Sequence, residues 1–463
     1  MILSNIKILN NGLLRKATIF IQNGLIHSII FNNSNLNSDD LEEKYKTHEI
    51  IDCQGRIAIP GLIDIHSHLR DLKQSEKETF LTGTYAAAYS GITTVFNMPN
   101  TNPPANTEKR VLQWMERAKD NIYVDVYFIA AVPNGLNRIE IEKILNLGVI
   151  GFKIYPHSPL GDINWMDQSN FKKILNISSQ FGVHIFIHPE WQLSKEEKDE
   201  IQKDYFSKGY QILKYHNNLH PPKAEDKFVN YALETYKSFI SENNLKETEF
   251  PSLHFCHISC KESYKTLTEF MEANPIFKIS FELTPHHLLL SNEIELNNYN
   301  IGKVLPPLRS KESQEFLFEE LKNNKIRFIG TDHAPHSLKD KDLPFDSAPS
   351  GFPGFETYPL TLLDKVCQYK LPLEYFIKIS SENPSIRFNL GKIGFIKEGF
   401  EANLVIIDKV SNYKIIPKNF KTKAKFSPFE NFKTSVEIWK VYLRGKEINI
   451  DNEILQGEIK LSI

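Results

Sequence analysis

The chain has 463 residues, 41% of them hydrophobic, so it can bury a large core together with a smaller second unit. Its formal net charge is −2 and its basic residues are scattered, which argues against a nucleic-acid-binding protein and favours a small-molecule partner. It shows neither a signal-peptide pattern nor a run of about 18 apolar residues, and its four cysteines form no paired metal motif, so we expect a cytoplasmic protein with reduced thiols and no membrane partner.

The two ends of the chain carry short alternating runs that predict a small β unit. Near the start, residues 17–21 and 25–30 are such runs, separated by Asn and Gly turn residues. Near the end, residues 402–407 and 435–443 have the same character. We therefore expect residues 1–55 and 391–463 to pair into one composite β domain around a central unit of residues 56–390.

The central unit contains eight apolar, mostly β-branched runs that predict strands. Most gaps between them can hold a helix, and several show helical apolar spacing. This alternation favours parallel strands with crossover helices, and eight such units predict a (β/α)8 TIM-like barrel. The predicted strands are Ile57–His66, Ile92–Met98, Tyr123–Val132, Val149–Tyr155, Val183–His188, Leu253–Ile258, Phe277–Leu283 and Ile326–Gly330.

Reactive residue types follow these strands, at the end of a barrel where active sites form. His66 and His68 fall on one side of an extended chain, where one cation can bind both imidazoles. Asp332 offers an oxygen to the same ion, whereas His188 and His257 offer nitrogens to a second one. For each histidine alone, ordinary hydrogen bonding at a strand end is the alternative, but their joint occurrence favours a metal site.

Lys153 lies near the end of the fourth predicted strand, Val149–Tyr155, and is therefore expected close to these candidate ligands. Cations nearby would repel an ammonium group, which favours the neutral amine. A neutral amine can react with carbon dioxide to form a carbamate, whose two oxygens can bridge two ions. The alternative is a lysine that pairs with a carboxylate at a strand end.

Five separated motifs resemble those of the dihydroorotases of the amidohydrolase superfamily, and they follow one another along the chain in the same order as in that family. The resemblance runs from about Ile51 to Asp408, and it implies a barrel with a small composite β domain that interconverts dihydroorotate and N-carbamoyl-aspartate in pyrimidine biosynthesis. It implies two Zn²⁺ or other divalent ions, bridged by carboxylated Lys153 and bound by His66, His68, His188, His257 and Asp332. The motifs are Pro60-Gly-Leu-Ile-Asp-Ile-His-Ser-His-Leu-Arg70, Asn97-Met-Pro-Asn-Thr101, Thr284-Pro-His-His287, Pro306-Pro-Leu-Arg309 and Thr331-Asp-His-Ala-Pro-His336.

The same resemblance implies a set of substrate-binding residues. Hydantoinases, dihydropyrimidinases and allantoinases are similar but lack an arginine after the two histidines, so Arg70 is the discriminating residue. Its guanidinium can hold a carboxylate through two parallel charge-assisted hydrogen bonds, which dihydroorotate requires and a neutral ring does not. The residues implied to hold or cover the substrate are Arg70, Asn100, His336, Pro353 and Gly354.

Two positions depart from the family pattern and leave the substrate open. Leu305 stands where dihydroorotases commonly have a substrate-contacting asparagine, and His220 stands where an arginine is often seen. The alternatives are therefore an allantoinase-like or hydantoinase-like ureide hydrolase, or a catalytically silent structural subunit, although every expected ligand is present.

In the preferred interpretation, two metals activate a water molecule and polarise the ring carbonyl. Asp332 then acts as general base and acid. We expect a homo-oligomer, with aspartate transcarbamoylase as a candidate partner.

Overall fold

The computed structural model describes residues 1–31, 49–209, 211–448 and 456–462. Residues 32–48 and 449–455 of the predicted composite β domain therefore lie outside the described part of the chain. The described strands form two sheets of eight strands each. The strands are β1 Ile2–Asn10, β2 Leu13–Gln22, β3 Leu25–Phe31, β4 Ile50–Asp52, β5 Ile57–Pro60, β6 Leu62–Ser67, β7 Ile92–Asn97, β8 Asp125–Ala131, β9 Gly151–Ile154, β10 His184–Ile187, β11 Ser252–Phe255, β12 Ile279–Phe281, β13 Leu404–Lys414, β14 Lys433–Leu443, β15 Lys446–Glu447 and β16 Ile459–Lys460.

The first sheet joins strands from both ends of the chain in the order β15-β14-β13-β5-β1-β2-β3, with β4 paired to β1. Its own apolar cluster includes Leu3, Ile19, Leu404 and Tyr442, all buried. The alternating runs predicted at the two ends thus form one β layer with a core of its own, because each buries the apolar side of its alternation. The domain limits of 1–55, 56–390 and 391–463 stay a prediction.

The structure divides the predicted strand Ile57–His66 at Gly61. Residues before this glycine pair with β1 and β13, whereas residues after it pair with β7 in the second sheet. The Gly61 N–H donates to the Asn403 carbonyl, and a Cβ added here would lie 2.2 Å from Thr93 Oγ1. Glycine therefore lets the chain pass from one sheet to the other at a close contact, which the continuous apolar run did not reveal.

The second sheet is parallel and runs in sequence order from β6 to β12, with β16 paired to β8. An isolated parallel bridge joins Leu283 to Ile329, and another joins His333 to Ser67. Among the described residues, the predicted eighth strand Ile326–Gly330 is thus represented by one bridge, at Ile329, and the second bridge at His333 lies just beyond it.

Helices follow most of these strands, as expected for crossover connections. Side chains cap the first turn of several helices: Thr79, Thr107 and Ser310 each accept a hydrogen bond from a backbone amide of the helix that they precede. Among the described residues, no helix has the length and apolar character needed to cross a membrane. The helices are α1 Phe80–Tyr89, α2 Glu108–Ala118, α3 Arg138–Asn146, α4 Gln168–Phe181, α5 Lys195–Lys208, α6 Ile212–Leu219, α7 Pro222–Glu242, α8 Lys261–Ala273, α9 Pro285–Leu289, α10 Lys311–Lys322, α11 Leu338–Lys341, α12 Tyr358–Gln368, α13 Leu373–Ile377 and α14 Asn383–Arg387.

A buried ion pair ties three segments together beside the strand ends. Arg309 Nη2 donates to Glu225 Oε2 of α7 at 2.9 Å, and Arg309 Nε donates to Ser259 Oγ at 2.8 Å. Both charged side chains are almost fully buried, and satisfied buried pairs of this kind fix the relative positions of their elements. The pair thereby holds the loop after β11, which carries His257.

Candidate metal centre and active site

The six predicted ligands all lie at the carboxyl-terminal edge of the parallel sheet. His66 lies in β6 and His68 follows it, Lys153 lies in β9, His188 follows β10, and His257 follows β11. Asp332 comes three residues after the bridge at Ile329. All six are buried, and none is more than 7% exposed. Residues from five separated parts of the chain are therefore gathered in one protected region.

The first group consists of His66, His68 and Asp332. The Oδ1 atom of Asp332 lies 3.0 Å from His68 Nε2 and 3.5 Å from His66 Nε2. The potential ligand atoms of these residues all lie within 4.8 Å of one another. Two imidazole nitrogens and a carboxylate oxygen at this spacing suit a zinc-type cation.

The second group is formed by His188 and His257. His188 Nδ1 lies 2.9 Å from His257 Nε2, and the two rings meet edge to face. His188 Nε2 donates to Glu190 Oε2 at 3.1 Å, which leaves the Nδ1 lone pair facing the second imidazole. His257 Nδ1 is buried and has no hydrogen-bond partner in the part of the chain that the structure describes. A cation shared by the two facing nitrogens fits this arrangement.

Three of the four histidines use their second ring nitrogen to contact an oxygen. His66 Nδ1 contacts Glu282 Oε1, and His68 Nδ1 lies 2.5 Å from Asn100 Oδ1. Together with the Glu190 contact of His188, these contacts fix which nitrogen is free to bind a metal. Oxygen acceptors behind metal-binding histidines are the usual way in which proteins orient such ligands.

Lys153 is the feature that ordinary packing explains least. Its neighbours in β9, Phe152 and Ile154, belong to the apolar layer between sheet and helices, so Lys153 points to the opposite, inner face. Its Nζ is buried without a hydrogen-bond partner among the described residues. The alternative of a lysine paired with a carboxylate is therefore not what the structure has. An unpaired buried amine fits a group completed by carbon dioxide and cations.

Burial sets the protonation of most of these groups. It lowers the pKa of His68 to about 4 and also lowers the pKa values of His188 and His257, so all three favour the neutral imidazole that metals require. Burial alone would raise the pKa of Asp332, but the neighbouring imidazoles of His66 and His68 outweigh it and hold that pKa below its usual range.

His66 is the exception among the histidines. Burial opposes its charged form, but the acidic groups Cys256, Glu282 and Asp332 together raise its pKa to about 10. Binding of a cation at Nε2 therefore requires the loss of a proton there, so metal uptake is expected to be favoured at higher pH.

A cavity of about 220 Å³ opens over the two groups of ligands. Arg70 and Asn100 line it, as do the apolar side chain of Leu305 and the backbone of Gly351. His336 lies just behind the wall, with Nε2 3.3 Å from Arg70 Nη2 and 3.0 Å from the Ser350 carbonyl.

Within the segment Gly351–Glu356, which is expected to cover the substrate, one part lies at the cavity wall and another lies behind it. Pro353 and Gly354 are buried outside the cavity lining, and the Gly354 N–H donates to His333 Nδ1 at 3.2 Å. Gly351, with φ of +123°, is the residue of this segment at the cavity wall, and a Cβ there would lie 2.6 Å from the Ala334 carbonyl oxygen. Only glycine tolerates this approach at the entrance to the site.

Two candidate metal ligands and the candidate carboxylate anchor have unusual backbone geometry. His257 has φ of +38°, Asp332 has φ of +48° and Arg70 has φ of +56°. Non-glycine residues rarely adopt this left-handed region, and it is retained mainly where the surrounding structure enforces a functional geometry.

Three contributors to the site were not assigned from the sequence. Glu282 supports His66 and also contacts His254, Glu190 supports His188, and Tyr155 lines the cavity. A glutamate inside the apolar predicted strand Phe277–Leu283 was the available signal for Glu282, and its position two residues before the Thr-Pro-His-His motif strengthened that signal. Its partner, however, lies 216 residues away in the chain.

Replacing Glu282 by Gln is expected to weaken zinc binding by about 10- to 100-fold, because the carboxylate that orients His66 loses its charge. Competition with a chelator of known affinity measures this change in the full chain. Glu312→Gln, which alters an exposed carboxylate paired with Lys261, is the matched control. Equal zinc affinity in both variants would argue against a supporting role for Glu282.

The sequence matches known proteins over its whole length. Residues 57–448 match the model of the amidohydrolase family. The chain is 32% identical to a protein named dihydroorotase from Methanosphaera stadtmanae over 462 residues, covering 99% of each chain. It is also 32% identical to a dihydroorotase from Pyrococcus abyssi, covering 94% of this chain and 95% of the relative.

The fold is similar to that of solved hydantoinases. L-hydantoinase from Arthrobacter aurescens superimposes with a TM-score of 0.83 at 23% identity, over 99% of this chain and 97% of the other. D-hydantoinase from a Thermus species gives a TM-score of 0.81 at 23% identity, over 99% and 96% of the two chains. At this identity the likeness establishes the fold: an α/β protein with a parallel sheet, helices and a β domain.

Proposed function

Because the chain belongs to the amidohydrolase family, we propose that it is a dihydroorotase, which interconverts dihydroorotate and N-carbamoyl-aspartate. The observation that carries this choice within the family is Arg70. Its guanidinium is 6% exposed, lines the cavity beside the histidines, and forms no ion pair with a carboxylate of the described residues. A buried cation with free donors at a ligand cavity is suited to a substrate carboxylate.

The ligand set supports a pair of divalent cations. His66, His68 and Asp332 would hold one ion, His188 and His257 the other, and carboxylated Lys153 would bridge them. When bound, such ions activate water as a nucleophile at neutral pH and polarise the carbonyl that is attacked. Zinc is the ion we expect, since histidine nitrogens dominate the set.

Asp332 moves the proton in this proposal. Its carboxylate stays ionised, since the nearby imidazoles favour the anion. It accepts a proton from the attacking water and delivers it to the departing ring nitrogen, so the amide bond breaks without releasing an amide anion. Asn100 keeps His68 oriented through the 2.5 Å contact, and the buried position of the site excludes bulk water.

Arg70 positions the substrate, with Asn100 and His336 beside it and the Gly351–Glu356 segment over it. The two oxygens of the substrate carboxylate would face the Arg70 guanidinium. This contact would orient the ring so that its scissile amide faces Asp332. Pro353 and Gly354 act from behind the wall by holding this segment.

Replacing Arg70 by Met is expected to raise KM for dihydroorotate by about 100-fold or more, because a charge-assisted anchor is lost. The bound metal should stay near its wild-type amount. Assays with dihydroorotate and with dihydrouracil, the same ring without the carboxylate, measure the difference. An equal loss with both substrates would argue against carboxylate recognition, and absence of dihydroorotate turnover by metal-loaded wild-type protein would overturn the proposed function.

One observation favours a second candidate, a hydantoinase-like hydrolase of neutral cyclic ureides. Leu305 lines the cavity and offers no hydrogen bond to a ring. A substrate panel of hydantoin, allantoin and dihydrouracil tests this candidate, which predicts higher kcat/KM for a neutral ring than for dihydroorotate.

We further infer that the parallel sheet and its two bridges make a closed (β/α)8 barrel. The protein would act in the cytoplasm as a homo-oligomer, with aspartate transcarbamoylase as a candidate partner.

A further inference from the structure

Two buried lysines lie behind the wall that carries Arg70. Lys341, the last residue of α11, has no exposed surface, and its Nζ donates to the Pro349 carbonyl at 2.8 Å. Lys303 is 7% exposed, and its Nζ donates to the carbonyls of Phe345 and Ala348 at 2.6 and 2.7 Å. In the described residues, neither ammonium group forms an ion pair with a carboxylate.

The lysines hold the segment that forms one side of the cavity. The three carbonyls that they contact precede Ser350 and Gly351, which line the cavity. The Gly351 N–H also donates to the Lys303 carbonyl at 2.9 Å. The positions of both charges are therefore fixed relative to the cavity wall.

Among the described residues, the carboxylates whose charge acts on Lys303 and Lys341 are Asp346 and Asp340, whereas Arg70 also faces Asp332 and the buried Glu78. The carboxylate of Asp340 lies 3.9 Å from Lys77 Nζ and 3.8 Å from His336 Nδ1, and it is partly exposed. Asp346 is exposed to solvent, which screens its charge. The buried charges of Lys303, Lys341 and Arg70 are screened much less.

Burial of uncompensated cations is unfavourable unless dipoles or an anion offset it. The contacted carbonyls supply part of this compensation. Burial, followed by the charges of Lys303 and Arg70, lowers the pKa of Lys341 to about 7. A ligand anion beside Arg70 would relieve this repulsion and favour the ammonium form.

We propose that Lys303 and Lys341 make the wall behind Arg70 cationic and thereby select ring substrates that carry a carboxylate. They are specificity-determining positioning residues, since neither lines the cavity and both act on the ligand through their charge. This inference rests on the proposed function, because it concerns the same substrate carboxylate.

The test compares an anionic ligand with a neutral one in the metal-loaded full chain. Lys341→Met and Lys303→Met each remove a charge while keeping an unbranched side chain. We expect each to raise Kd for orotate by about 5- to 20-fold at low salt, as the loss of one poorly screened charge implies. KM for dihydroorotate should rise similarly, with little change in kcat or in KM for a neutral ureide. Lys172→Met, at a partly exposed lysine of α4 paired with Glu242, is the control and should change none of these values.

The outcomes separate selection by charge from a purely structural role. Loosening of the wall would impair neutral and anionic ligands alike, so equal losses would overturn the inference, as would an unchanged Kd for orotate. Should Lys341→Met fail to fold, Lys303→Met decides the matter, and an unchanged Kd for orotate in that variant would contradict the inference. Failure of wild-type protein to bind orotate or turn over dihydroorotate would instead contradict the proposed function.

Discussion

Asp332→Asn is expected to lower kcat for dihydroorotate by about 1,000-fold or more, because one change removes both a proton acceptor and a charged metal ligand. An asparagine has nearly the same shape and keeps an oxygen for His68. The fold should therefore survive, with an unfolding transition near that of the wild type. Steady-state assays at saturating metal measure the loss.

Asp204→Asn is the matched control, since Asp204 is a partly exposed aspartate of α5 that pairs with Lys208 and does not line the cavity. It should retain most of the activity, because its carboxylate is not among the predicted ligands. Near wild-type turnover by Asp332→Asn would contradict the assigned role of Asp332.

Lys153→Met is expected to reduce bound metal from about two ions per chain to about one or fewer and to abolish measurable turnover. The physical reason is the loss of the anionic bridge that keeps two cations close together. Methionine preserves the volume and the apolar stem of the buried side chain, so the packing of β9 should change little. Metal analysis of the purified variant measures the effect.

Adding a small carboxylate, such as acetate, to Lys153→Met distinguishes loss of the bridging anion from disruption of the surrounding structure. A carboxylate that occupies the vacated place should restore part of the bound metal and part of the activity. Lys303→Met is not expected to lose metal, so it serves as the comparison. Full metal content in Lys153→Met without any added acid would argue against a bridge at this residue.

The sequence is enough to predict that the six candidate ligands converge, because each of them lies at or near the end of an apolar run. Parallel strands bring their carboxyl ends to one edge, so His66, Lys153 and His257 meet although they are far apart in the chain. The chemical reasoning needs only the residue type and its place after a strand. The structure accordingly brings all six predicted ligands together.

Contacts between distant loops are what the sequence could not reveal. Glu282 meets His66, and Gly354 meets His333, only after the sheet has formed. The division of the first predicted strand at Gly61 involves the hydrogen bond from the Gly61 N–H to the carbonyl of Asn403, 342 residues further along the chain. Local periodicity carries no information about partners at such separations, so these features follow from the tertiary fold alone.

The most direct test of the central claim is the number and position of cations seen by anomalous diffraction from crystals of the full chain grown with zinc. The account predicts two peaks, one beside His66, His68 and Asp332 and one beside His188 and His257, with continuous density from Lys153 between them. A single peak, or zinc bound away from these side chains, would contradict it.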